Sequence, residues 1–174
     1  MKATVRPLLA AALACTLAAC QIPDTTMENG AIKLYGDVVV LHVDGAPEAD
    51  IASDGGFTVD DKPVAITPAD RALLVQYNRS VRNVRKTGMA MGKAGIETAA
   101  KAIAAKASST PDRADAAAKA GAGQLQDLSL GICKDTAAIK AAQDQLATQL
   151  AAFKPYASIV SAASVTDCED DAKS

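Results

Sequence analysis

Thr67-Pro68-Ala69-Asp70-Arg71-Ala72-Leu73-Leu74 decides the architecture of this chain, because it opens the longest periodic segment in it. A hydroxyl that can cap, Pro at the first helical position and an acid three residues after the cap are independent helix-start signals, and here they coincide. Beyond them Leu74, Tyr77, Val81, Val84, Gly88, Met91 and Gly95 recur at alternating spacings of three and four. That places them along one stripe of a helix. Gly92, Ile96, Ala99 and Ile103 form a parallel flank. The helix is predicted over 68–106, before Ser108-Ser109-Thr110-Pro111-Asp112 interrupts it.

N-terminal to this helix the pattern changes. Val38-Val39-Val40-Leu41 with His42-Val43 is rich in β-branched residues and ends at the turn signal Asp44-Gly45. Phe57-Thr58-Val59 and Val64-Ala65-Ile66 flank Asp60-Asp61-Lys62-Pro63 and suggest a short hairpin. About three strands over 31–66 would make a small sheet, which needs a helix against one face to be stable. C-terminal to the helix, an Ala-rich piece from Asp112 to Ala120, a weaker stretch from Leu125 to Leu130, and the face Ile139, Leu146, Leu150, Phe153 read as a helical part over 112–163. Pro155 is expected to kink or restart it. Residues 167–174 read as an acidic tail. The fold class is therefore α+β: a small antiparallel sheet packed on a long helix, followed by a helical hairpin, in one domain over 31–166.

Composition agrees with this and narrows the function classes. Of 174 residues, 39 are Ala, 49% are hydrophobic and only 3% aromatic, with 18 basic side chains against 20 acidic ones. Such a chain is neither collagen-like, disulfide-dense nor wholly disordered. Its apolar content is largely small helix formers.

The N-terminus carries an address. Lys2 and Arg6 precede the uncharged, mostly apolar run Leu8 to Ala19, too short to span a bilayer and proportioned like a secretory signal. Leu17-Ala18-Ala19-Cys20 resembles the lipobox of bacterial lipoproteins. The resemblance implies a signal peptide over 1–19, removed before Cys20, and diacylglycerol on the Cys20 sulfur with acylation of the new amino terminus. The other readings are an ordinary secretory leader cut at an Ala-x-Ala-like site, or an apolar segment that stays with the fold. An acyl chain contributes about 0.8 kcal/mol per buried CH₂, so a multiply acylated Cys20 would hold the domain at a membrane. Gln21 rather than Asp follows, which by the same resemblance favours the outer membrane, facing the periplasm. Residues 20–30 then read as a lipidated tether.

Removing 1–19 leaves 16 basic side chains against 20 acidic ones, a net charge of −4. It also removes Cys15, and with Cys20 lipidated only Cys133 and Cys168 remain as thiols, a pair that an oxidising compartment would bridge. Closing that loop would contribute about 4 kcal/mol by the chain-entropy argument. Two separate thiols are the alternative.

The strand region, Phe57-Thr58-Val59-Asp60-Asp61-Lys62, Ala65-Ile66-Thr67-Pro68, Gln76-Tyr77-Asn78, Gly88 to Ile96, Cys133 and Phe153-Lys154-Pro155-Tyr156 together resemble the YggN-like family of proteobacterial envelope proteins. The likeness covers most of residues 30–160 and implies an envelope location and this architecture; it implies no reaction. The lipobox is a departure from an ordinary periplasmic member.

Charge is segregated. Asp37, Asp44, Glu48, Asp50, Asp54, Asp60 and Asp61 stand in a stretch without Lys or Arg, whereas Arg71, Arg79, Arg82, Arg85, Lys86 and Lys93 stand in one without acids. Arg79, Arg82 and Lys86 share a helix face and are candidate anion-binding residues, for lipid headgroups or lipopolysaccharide phosphates. Alternatively the acidic loops neutralise them. No aromatics interleave with this row, so nucleic acid is not an expected partner.

No catalytic set is expected. His42 is the sole imidazole and would lie on the strand face of Val38 and Val40, so no zinc constellation can be assembled. The acids near Asp44 to Asp54 lack EF-hand spacing. Gly-x-Ser-x-Gly and Ser-x-x-Lys are absent, and Gly121-Ala122-Gly123 follows no strand and lacks a third glycine, so neither nucleophile nor dinucleotide site nor other cofactor is indicated. Gly88, Gly92 and Gly95 each cost a helix about 0.5 to 1 kcal/mol relative to Ala; close packing against a second helix or the sheet is the expected reason for them, and a flexible hinge or self-association face is the alternative. The functional expectation is a lipid-anchored, non-enzymatic envelope protein that binds or scaffolds, with an envelope protein as candidate partner. The second reading is an anionic-lipid or lipopolysaccharide-binding module, the third a carboxylate-dependent hydrolase.

Overall fold

A computed structural model describes residues 23–107 and 111–173 of the chain. Its order is β1 (Thr25–Met27), β2 (Ile32–Tyr35), β3 (Val38–Leu41), β4 (Ala49–Ile51), β5 (Phe57–Val59), β6 (Lys62–Pro63), α1 (Pro68–Ala107), α2 (Pro111–Gln149), a 3₁₀ segment Ala151–Tyr156, and α3 (Ala162–Asp171). This is an α+β fold: a sheet of sequential antiparallel neighbours, β1 to β6 in order, followed by an antiparallel pair of long helices.

Alternation along the strands puts one face inward. The register pairs Ile32 with Leu41, Leu34 with Val39, Val39 with Ile51, Leu41 with Ala49 and Ile51 with Phe57, so every inward side chain meets apolar neighbours across each ladder. All of these are at most 2% exposed. The opposite face carries Lys33, Asp50 and Thr58.

Onto the inward face pack Leu74, Tyr77, Val81 and Val84 of α1, Ile139, Ala142, Leu146 and Leu150 from α2 and its end, and Phe153, Tyr156 and Val160 beyond it. Four of the five aromatic side chains meet there: Phe153 lies 5.7 Å from Phe57, 6.1 Å from Tyr77 and 5.8 Å from Tyr156, ring centre to ring centre. A chain poor in aromatics thus concentrates them in one knot, where each buries more area than any Ala could.

Buried polar groups join the layers. Asn78 of α1 donates its Nδ2 to the Asp37 and Ile51 carbonyls, at 2.8 and 2.9 Å. Gln143 of α2 donates to the carbonyls of Ala157 and Val160 and accepts from the Val160 amide, so one side chain holds the return segment. At the mouth of the helix pair, the Asp70 carboxylate accepts from the Thr67 amide and hydroxyl and from Gln149 Nε2. The reciprocal bond, Asp70 amide to Thr67 Oγ1, completes a capping box. Asn83 faces Asp135, Thr87 approaches Gly131 and Thr98 meets Gly121, which fixes one antiparallel register along the helix pair. Cys133 and Cys168 form a disulfide that ties α3 to α2.

Several sequence expectations need correction. The tether over 20–30 does not extend to residue 30: Thr25–Met27 is the edge strand β1, paired with β2. Glu28, Asn29 and Gly30, with φ of 49°, 54° and 98°, make the tight connection. The sheet has six strands rather than about three. The last hairpin turns at Asp60 and Asp61, both at positive φ, and its second strand is Lys62–Pro63 instead of Val64–Ile66. Residues 112–149 are not separate helical pieces but lie in one helix, because α1 supports it along its length and Gly121 lets the two backbones approach. Cys133 lies in the middle of that helix. Pro155 neither kinks nor restarts it; α2 ends at Gln149 and Pro155 sits in the 3₁₀ segment. The acidic tail is the end of α3, whose start is capped by Ser161 accepting from the Ser164 amide.

Candidate functional site

The sheet covers only the first half of α1. Asn78 reaches the sheet directly, Arg82 pairs with Asp37 at 3.1 Å, and Arg85 pairs with Asp24 at 3.3 Å. Asp24 is further fixed at the sheet edge, its amide donating to the Leu34 carbonyl and its carboxylate accepting from the Gly36 amide. Past Arg85 the helix pair runs on beyond the sheet as an arm, with α3 alongside its α2 side from Cys133 toward Ala122. From Lys86 to Ala107 it is about 33 Å long at 1.5 Å per residue.

Of the candidate anion-binding residues, Arg82 is internally paired, while Arg79 and Lys86 are exposed and take part in no ion pair among the described residues. The two alternatives left open by the sequence therefore divide between residues. Leu34, Gly36, Asp37, Asn83, Arg85 and Lys86 line a shallow cleft of about 310 Å³ at this corner. Lys93, exposed and 3.8 Å from Glu97, continues the row toward the tip.

The glycines overturn an expectation. A Cβ at Gly88, Gly92 or Gly95 would meet nothing within 4 Å, so none of them serves close packing. The close approach is at Gly121, where a Cβ would lie 2.2 Å from the Thr98 Cγ2. The flank beside Gly92 is likewise uncovered: Met89 is 56% exposed, Ile96 74% and Ile103 70%. Arg82, Met89, Ile96 and Ile103 recur every seven residues, so the open apolar row continues the side of α1 that meets the sheet lower down. The sequence shows this flank as a stripe but not whether anything covers it; in the structure the six strands end near Arg85 and leave it open.

The remaining titratable groups do not converge. His42 is exposed, 3.8 Å from Asp44 and 4.0 Å from Glu48. Burial raises the pKa of Glu28 and, together with Glu48 and Asp61, that of Asp50. Asp70 is held below the usual carboxylate range by the Thr67 amide and hydroxyl. Tyr77 is fully buried, its ionisation suppressed, and its hydroxyl has no hydrogen-bond partner among the described residues. No cluster of His, Cys, Asp and Glu among the described residues could hold a metal ion, and no described helix is long and apolar enough to cross a membrane. A second groove, about 430 Å³, runs beside the disulfide between Ser129, Ile132, Ser164 and Asp171. Cys20 and the leader over 1–19 lie outside the described residues.

The fold and this surface define a class, an α+β domain with a projecting helical arm. No protein family, curated protein or solved structure matches the chain.

Proposed function

We propose that the chain is fastened to the bacterial envelope through lipidated Cys20, at the outer membrane facing the periplasm, and acts there by binding or scaffolding rather than by catalysis. The observation that carries this reading is the open row Met89, Ile96 and Ile103 on an arm whose root is fixed by the Asn83–Asp135 hydrogen bond and the Arg85–Asp24 pair. Soluble domains leave single apolar residues exposed routinely, but three in register along one helix face read as a contact surface. The leader, the lipobox and a disulfide suited to an oxidising compartment support the location. So do the residues that resemble the YggN-like envelope proteins.

A photo-crosslinking side chain placed at Ile96 or Ile103 in living cells tests the contact surface. The expected result is an adduct well above that from the same group at Leu130. Equal labelling at all three positions would refute it.

A second reading, anionic-lipid or lipopolysaccharide binding through Arg79, Arg82 and Lys86, is favoured by the exposure of Arg79 and Lys86 beside the corner cleft. Its test is retention of the unlipidated domain by anionic vesicles at low salt, lost at high salt and in charge-reversed variants at those three positions.

A further inference from the structure

The geometry points to the partner of the open α1 face: it lies along the anionic lipid surface that holds the anchor, with Met89, Ile96 and Ile103 at the boundary of headgroups and acyl chains, and Lys86 and Lys93 at the headgroups. The inference rests on the reading of Cys20 as the lipidated residue and names what the arm binds.

The first argument is reach. Only four peptide steps separate Cys20 from Asp24, and four residues span at most about 14 Å. Asp24 is held by Arg85, one helical turn before Met89 on the same side of α1. An anchor at Cys20 therefore enters the membrane within a short distance of the open row, and no long tether lets the domain drift away from the bilayer. Anchoring also raises the local concentration of lipid at the arm, so that a row too small to bind vesicles alone can still settle on them.

The second argument is charge. Between Arg82 and Lys106, α1 carries Arg82, Arg85, Lys86, Lys93, Lys101 and Lys106 against Glu97 alone. The processed chain as a whole is net acidic, so this is a local excess. Arg82 and Arg85 neutralise Asp37 and Asp24, which removes the two acids that would otherwise face the headgroups at this corner. Lys86 and Lys93 stay exposed beside the apolar row. Long apolar side chains flanked by exposed lysines, without the length or hydropathy of a spanning helix, are the pattern of a helix that lies in the interface plane. The open glycines fit the same placement, since they flatten the face between Met89 and Ile96.

The chain contains no Trp, so one introduced Trp is a clean reporter. Ile96→Trp and, as control, Leu130→Trp, nine residues and thus half a turn out of phase with the Gly121 contact, would be made in the full lipidated protein. Each is reconstituted in phosphatidylcholine vesicles with and without phosphatidylglycerol. The expected result is co-flotation of both. Only the Ile96→Trp emission shifts to the blue and is quenched by lipids brominated in the upper acyl chain, more strongly with phosphatidylglycerol. Lys86→Glu with Lys93→Glu should abolish the shift while co-flotation persists.

Co-flotation without any shift at Ile96→Trp overturns the inference and leaves the anchor standing. A shift without bromolipid quenching also overturns it, and assigns the face to a second copy or another protein. Failure to float removes the anchor reading itself.

Discussion

Two tyrosines of the core offer opposite responses to the same substitution. The Tyr77 hydroxyl is sealed from solvent with no hydrogen-bond partner among the described residues, whereas the Tyr156 hydroxyl donates to the Pro47 carbonyl at 2.6 Å. A buried polar group left unpaired costs about 1 to 3 kcal/mol of desolvation, so Tyr77→Phe removes a penalty and loses only the hydroxyl's packing. The net expectation is a gain of about 1 kcal/mol. Tyr156→Phe forfeits a made bond and is expected to cost about 1 kcal/mol. Both keep the ring and its contacts with Phe153, so the aromatic knot is a common background. Urea unfolding of the disulfide-bonded domain should show midpoints displaced in opposite directions at unchanged slope, and melting temperatures displaced by about 2 to 4 °C each way for a chain of this size. Destabilisation by Tyr77→Phe equal to that of Tyr156→Phe would refute the reasoning, because it would mean that the first hydroxyl is also paired.

Further expectations concern the helices and the disulfide. Gly121→Ala should destabilise by about 1 to 3 kcal/mol because the new methyl meets Thr98, while Gly92→Ala, in open space, should stabilise by about 0.5 to 1 kcal/mol; thermal melts of the pair decide it. Replacing Cys133 and Cys168 together by Ala should cost up to about 4 kcal/mol, read from denaturant midpoints against the oxidised protein. The pKa of Asp70 is lower folded than unfolded, so its contribution is present above about pH 4 and fades as pH falls through the folded value. Asp70→Asn should therefore lower stability at neutral pH and flatten the acid limb of the stability profile.

The start of α1 was legible because Thr67 and Asp70 act locally, through bonds within one turn that need no tertiary partner. Leu74 to Val84 were legible as core for a similar reason, since periodicity marks a face. Periodicity does not say how far the neighbour extends, so the stripe of Ile96 and Ile103 is legible in the sequence while its exposure, where the sheet stops short of it, is not. Strand β1 was missed because Thr25–Met27 is short and polar, and its conformation is set by pairing with Ile32–Tyr35 rather than by its own residues. With β1 unseen, the Arg85–Asp24 pair was out of reach, although the segregation of acids and bases pointed to pairs such as Arg82–Asp37. Gly121 and Gly88 are alike in sequence terms; only the second helix distinguishes the close contact from the open face.

Anchoring at Cys20 underlies the functional account, and intact-mass analysis of the protein isolated from membranes tests it most directly. The account predicts an amino-terminal peptide that begins at Cys20 and carries diacylglycerol and an amide-linked acyl chain. A first residue elsewhere, or an unmodified Cys20, would contradict it.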